Sequence, residues 1–386
     1  MLAEARLVGA SDLHVQPTAD GLELRWRLDG VLHPAALLPA SVGPNVIARL
    51  KVLADLLTYR TDLPQEGRIK GTPGTIEMRL STFPTLYGEK AVVRLFAALG
   101  AYLRLNDLNL PDEIRDTLGR LLQATSGMII FSGPSGAGKT TTLYACLREL
   151  VAASAGGRNL ATLEDPVEVA VAGVSQSQAN PTAGFTLELG LRSLLRQDPE
   201  VIAVGEIRDR TTAEVAFQAS LTGHLVLTTF HSGSAAGVIG RLADMGIEPY
   251  LLKSGLLAVV ASRLVRRLCT CARAESDPAA RLGLDVERCY VAVGCDRCAG
   301  TGYHGRMVVA EMLLADSEAL GSAILARADV ARIERAAEAG GMVTRWARAA
   351  RAVEDGQTSA AEIRRVLGVS TSTAQRCVDA SENVGR

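Results

Sequence analysis

Lysine is scarce in this chain of 386 residues. It occurs only at Lys51, Lys70, Lys90, Lys139 and Lys253, and arginine supplies the rest of the positive charge. The net charge is −1, so no bulk field draws a polyanion and composition gives no reason to expect nucleic-acid binding. No stretch reaches the roughly 18–20 uninterrupted apolar residues of a membrane span. The most apolar one, "YLLKSGLLAVVASRLV", carries Lys253 and Arg263 and predicts a buried helix. The start, "MLAEARLVGASD", lacks a signal-peptide pattern. For the seven cysteines, which crowd toward the C-terminal half, metal binding is therefore expected ahead of disulfides.

The chain is long enough for two or three domains with real cores. Residues 1–99 predict a small α/β domain. "GLELRWRLDGVLHPA" alternates, with Leu22, Leu24, Trp26 and Leu28 on one face, and Asp29-Gly30 predicts a hairpin turn. "NVIARLKVLADLL" has helical spacing at Ile47, Leu50, Leu53 and Leu57. "TIEMRLSTFP" alternates again, with Glu77 and Arg79 on its polar face. Residues 100–110 read as a connector, and Leu108 to Leu122 as a helix. From there to residue 386, apolar runs ending in polar residues alternate with helical segments: "MIIFSG", "LATLEDP", "VIAVGE" and "HLVLTTFH". That pattern predicts a mostly parallel sheet covered on both faces, with ligands at the strand C-termini. A Cys-rich insert at about 266–306 interrupts it, and an Ala/Arg-rich tail from Leu313 reads as helical.

The stretch Gly133-Pro134-Ser135-Gly136-Ala137-Gly138-Lys139-Thr140 fits the phosphate-loop pattern G-x-x-x-x-G-K-[ST], between a strand and a helix. Backbone N–H groups and the helix N-terminus cradle phosphate, with Thr141 just behind. Lys139 neutralises the β- and γ-phosphates of ATP, and Thr140 ligates Mg²⁺. Hydrolysis needs further acids. Glu206, beside the loop if its strand is a sheet neighbour, is the candidate on the metal side. Glu164 and Asp165 form a second pair, either of which suits polarising a water. His224 and His231 flank one strand, where a role in sensing nucleotide state fits.

Taken in order, these motifs resemble the type II secretion and type IV pilus assembly ATPases, the general secretion pathway protein E family. "SDLHVQP", "LRWRLDGVL", "LPQEGRI" and "RLSTFPTLYGEKAVVRLF" resemble that family's second, PAS-like N-terminal domain. "GPSGAGKTTTLY", "TLEDPVE", "LRQDPEVIAVGEIRD" and "ASLTGHLVLTTFHS" resemble its Walker A, aspartate, Walker B and histidine boxes. The resemblance implies a RecA-like ATPase working as a homo-hexamer. It casts Glu164 as the water-activating acid, Glu206 as the Walker B acid and His231 as a nucleotide-side residue. It also implies arginines of a neighbouring domain completing each site, here Arg79 and Arg94, with Arg25 as a weaker match. Gln16 and "TTFHSGSA" depart from the family's usual residues, and its first N-terminal domain is not matched. The implied setting is cytoplasmic and peripheral at the inner membrane, against a platform protein of a secretion or pilus system.

The same resemblance predicts paired Cys-x-x-Cys motifs. Cys295 and Cys298 keep that spacing, whereas Cys269 and Cys271 are one residue closer. Alternate residues of a strand share a face, so all four are candidate Zn²⁺ ligands, with Cys289 as a substitute. The expected function is ATP hydrolysis by a ring-forming motor for pseudopilus or pilus assembly, type II secretion ahead of pilus or competence assembly. A RecA-like nucleic-acid motor and a nucleotide-binding regulator without turnover are the rival readings.

Overall fold

The computed structural model of the chain describes residues 1–69, 78–95 and 104–368. Glu77, part of the 100–110 connector and the end of the C-terminal tail lie outside the described residues. The chain divides into two compact units, Met1–Ala101 and Tyr102–Arg386.

The first unit is a six-stranded antiparallel sheet made of Asp12–Thr18 (β1), Gly21–Leu28 (β2), Val31–Leu38 (β3), Gln65–Ile69 (β4), Met78–Thr85 (β5) and Gly88–Leu95 (β6). Their order is β3-β2-β1-β6-β5-β4. Asp29 and Gly30 both have positive φ, +47° and +83°, as a tight hairpin turn requires. Leu22 and Leu24 are buried as their alternation predicts, while Trp26 and Leu28 pack at the core's margin. The helix Gly43–Leu53 lays Ile47 and Leu50 on the core. It ends at Leu53, so Leu57 is exposed and not part of the apolar face.

The second unit carries Gly127–Ser132 (β7), Leu160–Glu164 (β8), Ser175–Gln178 (β9), Val201–Val204 (β10), Leu225–Phe230 (β11) and Leu256–Leu268 (β12). A hairpin of Arg273–Glu275 (β13) and Cys289–Val291 (β14) precedes Tyr303–Leu314 (β15). The main sheet has the order β15-β12-β7-β11-β10-β8-β9 and is parallel except for β15. β7, β8, β10 and β11 are buried along their whole length, as expected of a parallel sheet between helix layers.

Two expectations fail here. "YLLKSGLLAVVASRLV" is helical only over Pro249–Gly255 and then becomes β12. An apolar run is ambiguous by periodicity alone, and the β-branched Val259 and Val260 fit the pleated slot beside β7, with Val265 paired to β15. The tail begins not as helix but as the end of β15, with helices from Glu318 onward.

Candidate functional site at the strand ends

The loop after β7 is held in shape by glycine geometry. Gly133 has φ +151°, and a Cβ there would fall 2.7 Å from both the Ala137 Cβ and the Ser262 carbonyl oxygen, so no larger residue fits. The Ser262 hydroxyl donates to the Ala137 carbonyl at 3.0 Å, pinning the loop from β12. Gly136 and Gly138 also have positive φ, and the helix Lys139–Ser154 starts directly behind Gly138. Pro134, Ser135 and Gly136 form the exposed tip, and Thr140 and Thr141 lie half-buried in the first helical turn. The Lys139 ammonium is folded inward and donates to the Gly133 and Pro134 carbonyls at 2.9 and 3.0 Å. Burial pulls its pKa down, while the Glu206 carboxylate acts in the opposite direction.

The acids lie at the C-terminal ends of strands in the same sheet. β11 lies between β7 and β10, with Thr228 paired to Ile130 on one side and Val204 on the other. The strand of Glu206 is therefore one place removed from the loop's strand, not its neighbour. Glu206 still accepts from Arg208 and lies 3.2 Å from His231 Nε2, just past the end of β11. Arg208 also reaches Asp165 at 3.4 Å, so a single guanidinium ties the two acidic motifs together. His224 sits at the opposite end of β11, with Nδ1 3.0 Å from the Ala219 carbonyl, so the two histidines are separated by the strand.

Glu164 differs from the exposed Asp165 beside it. Only 3% exposed, it accepts from the Thr162 hydroxyl at 2.6 Å and the Gln176 amide at 3.1 Å on Oε1, and from the Tyr144 hydroxyl on Oε2. Burial, and then the carboxylate beside it, push the Tyr144 phenol well above its usual range. Motif matching singled out none of Arg208, Tyr144, Thr162 and Gln176. The alternation of "LATLE" puts Thr162 and Glu164 on one face and was the available signal.

In the first unit, Arg79 stands opposite Arg94 across β5 and β6, and Arg68 opposite Arg79 across β4 and β5. Asp12 pairs with Arg94 on one side and Arg27 on the other, with contacts of 3.2 and 3.4 Å. Arg25 is paired with Glu23 at 2.7 Å. Arg68, Arg79 and Arg94 thus form a row across β4, β5 and β6. Arg68 joins it by register, which single-strand patterns do not reveal.

The Sγ atoms of Cys269, Cys271, Cys295 and Cys298 all lie within 4.8 Å of one another. Three of the separations are 3.7, 3.8 and 3.9 Å. Four thiolates at about 2.3 Å from Zn²⁺ in a tetrahedron stand about 3.8 Å apart, so the donor set fits that ion. Burial acts against ionising Cys298, but N–H groups of Cys295 and Gly302 bond its sulfur and hold its pKa down at about 6. Cys289 points elsewhere, its Sγ 3.6 Å from the Glu275 carbonyl, and is not a fifth donor.

A parallel α/β core with a glycine loop and acids at its strand ends, a small N-terminal α/β domain and a Cys-rich insert is the RecA-like architecture of the secretion ATPases. Two solved structures share the fold: the Legionella pneumophila ATPase DotB (TM-score 0.63, 20% identity, covering 94% of this chain and 93% of that one) and the pilus retraction motor PilT with bound ADP (TM-score 0.56, 22% identity, 90% and 95%). The chain belongs to the Type II/IV secretion system protein family, whose pattern it matches over residues 1–365. Its relatives include the Type II secretion system ATPase E of Vibrio cholerae, 42% identical over 82% of this chain and 64% of that protein. The Type IV pilus assembly ATPase PilB of Thermus thermophilus is 39% identical over 89% of this chain but only 40% of its own length. The Type II secretion system protein HxcR of Pseudomonas aeruginosa is 40% identical over 95% and 76%. No helix among the described residues is long and apolar enough to cross a membrane.

Proposed function

We propose that the chain binds ATP at the loop 133–141 and hydrolyses it. The observation that carries this reading is convergence: Lys139, Glu164, Glu206 and His231 come from four separate segments and lie at the C-terminal ends of four adjacent parallel strands of one sheet. Lys139 exchanges the carbonyls of Gly133 and Pro134 for phosphate oxygens, a stronger, charge-assisted bond. Thr140 and Glu206 would hold Mg²⁺, which, when bound, would offset the charge of the β- and γ-phosphates. His231 orients Glu206 from β11. In the reaction a water oxygen bonds to the γ-phosphorus and the bridging P–O bond breaks, its electron pair going to ADP. Glu164 takes the water's proton and passes it on to solvent.

Arg79 and Arg94 act on the phosphates of a neighbouring subunit's site in a homo-hexamer, and the cysteine module carries Zn²⁺. Turnover drives pseudopilus assembly through an inner-membrane platform protein, with the chain peripheral at that membrane. Similarity to the PilB relative supports pilus assembly as the second reading. The division of labour is an N-terminal domain, residues 1–99, a linker, residues 100–110, and an ATPase domain, residues 111–386.

Phosphate release by the purified chain, set beside E206Q, tests the reaction. Turnover is expected to fall about 10²-fold or more in the variant with ATP still bound, the scale of losing a group that supports transition-state charge. ATP binding without turnover above E206Q, even in a ring, makes this a nucleotide-binding regulator instead. Capture from membranes of a type II or a pilus platform protein separates the two motor readings.

A further inference from the structure

Tyr144 lies in the helix behind the phosphate loop, buried and one turn past Lys139, and its hydroxyl has two partners. It donates to Glu164 Oε2 and accepts the Glu168 N–H at 3.1 Å. One hydroxyl therefore joins three pieces: the phosphate-loop helix, the end of β8, and the segment that follows Asp165. A buried phenol is expected to be bonded, but packing alone asks for one partner, not a carboxylate and a backbone amide together. Thr162 and Gln176 hold the other oxygen of the same carboxylate, and Gln176 is itself fixed by the Val171 N–H at 2.6 Å and the Val169 carbonyl at 3.1 Å. Both Glu164 oxygens are thereby fixed in direction.

We infer that Tyr144 is a positioning residue for the hydrolytic step, setting the aim of the Glu164 carboxylate from the phosphate-loop helix. This rests on Glu164 being the acid that takes the proton. A carboxylate oxygen has two lone-pair directions. With Tyr144 on one of them, the other is the direction left on Oε2 for a water. Because the phenol rides on the helix whose first turn contacts phosphate, its bond also links the loop's position to that of the acid.

The test uses the full chain assembled in its ring, with Y144F, E164Q and the double variant. Phe fills the same volume, so folding and nucleotide affinity are expected to stay within about threefold. Turnover of Y144F is expected to fall about tenfold or more, the worth of a hydrogen bond to a charged group, with KM little changed. Adding Y144F to E164Q is expected to cost nothing further, because the tyrosine acts through that carboxylate. A Y144F with full turnover, or one that multiplies the loss of E164Q, overturns the inference while leaving Glu164 in place. A Y144F that loses nucleotide affinity and thermal stability in step with turnover also overturns it, in favour of a packing role. An E164Q that keeps full turnover removes the acid itself, and with it both readings.

Discussion

The phosphate loop, pinned from β12 by Ser262, and the cysteine cluster, which begins just past the end of that strand, are built in opposite ways. The loop is shaped by backbone: positive φ at its glycines and a bond from Ser262 to Ala137 hold its form. The cluster is shaped by side chains brought from positions 26 apart, Cys269 to Cys295, on loops with little sheet of their own. Its thiols contact one another, N–H groups of Cys295 and Gly302, the Thr270 hydroxyl and the Cys295 carbonyl. A site made by backbone is in place before its ligand; a site made by converging thiolates depends on an ion to close it.

That contrast can be broken at four points. The largest effect is expected from K139A: turnover lost by about 10²-fold or more, since the ammonium is the loop's cation for the phosphates, with the thermal midpoint hardly moved. Phosphate release and a melting curve check both halves. Next, C298S is expected to lose a bound zinc measured by elemental analysis, and to melt lower, while the loop keeps its nucleotide affinity within a few-fold. Equal damage to both sites would erase the distinction.

Third, E362A removes the buried partner of Arg266 and Arg365, at 2.8 and 2.6 Å, beside the cysteine module. Breaking a buried pair typically costs about 3–5 kcal/mol, and denaturant unfolding reads it. The smallest effect is that of pH on the same group. Burial opposes ionisation of Glu362, but its bonds to Arg365 and Arg266 win and hold its pKa below the ordinary 4.5. A depressed folded pKa gives stability that is full above the unfolded value and lost as pH falls through the folded one. Its contribution is therefore flat from pH 8 to 6 and lost below about 4.5, and in E362Q that acid loss is expected to disappear.

What the chain's letters made legible follows the same division. The loop could be read because its residues are contiguous and each glycine has a local reason. The strand ends could be read because a fully buried strand must stop at polar residues. Strand order could not: whether Glu206 lies one strand or two from Lys139 depends on where β11 inserts. The cradle around Glu164 was missed because its donors come from three elements, and Tyr144 reads as one more apolar residue of a helix. "LLAVVASRLV" misled because sheet pairing, not periodicity, decides a short apolar run.

One feature of the sheet edge has a mechanical meaning. β12 pairs with β7 over Leu256–Ala261 and runs on with β15 as far as Leu268, where the C-terminal helices cover it: Val265 is buried with Ala349, Val353 and Ile363, and Glu362 and Gln357 bond the backbone of Arg266 and Leu268. At about 3.3 Å per residue, the strand from Ser262, which pins the phosphate loop, to its end at Leu268 is about 20 Å long, with an irregularity in its pairing between Arg266 and Leu268. The cysteine module is thus carried on a braced arm rooted beside the phosphate loop. A tilt at that root would have to carry the C-terminal helices along with the module.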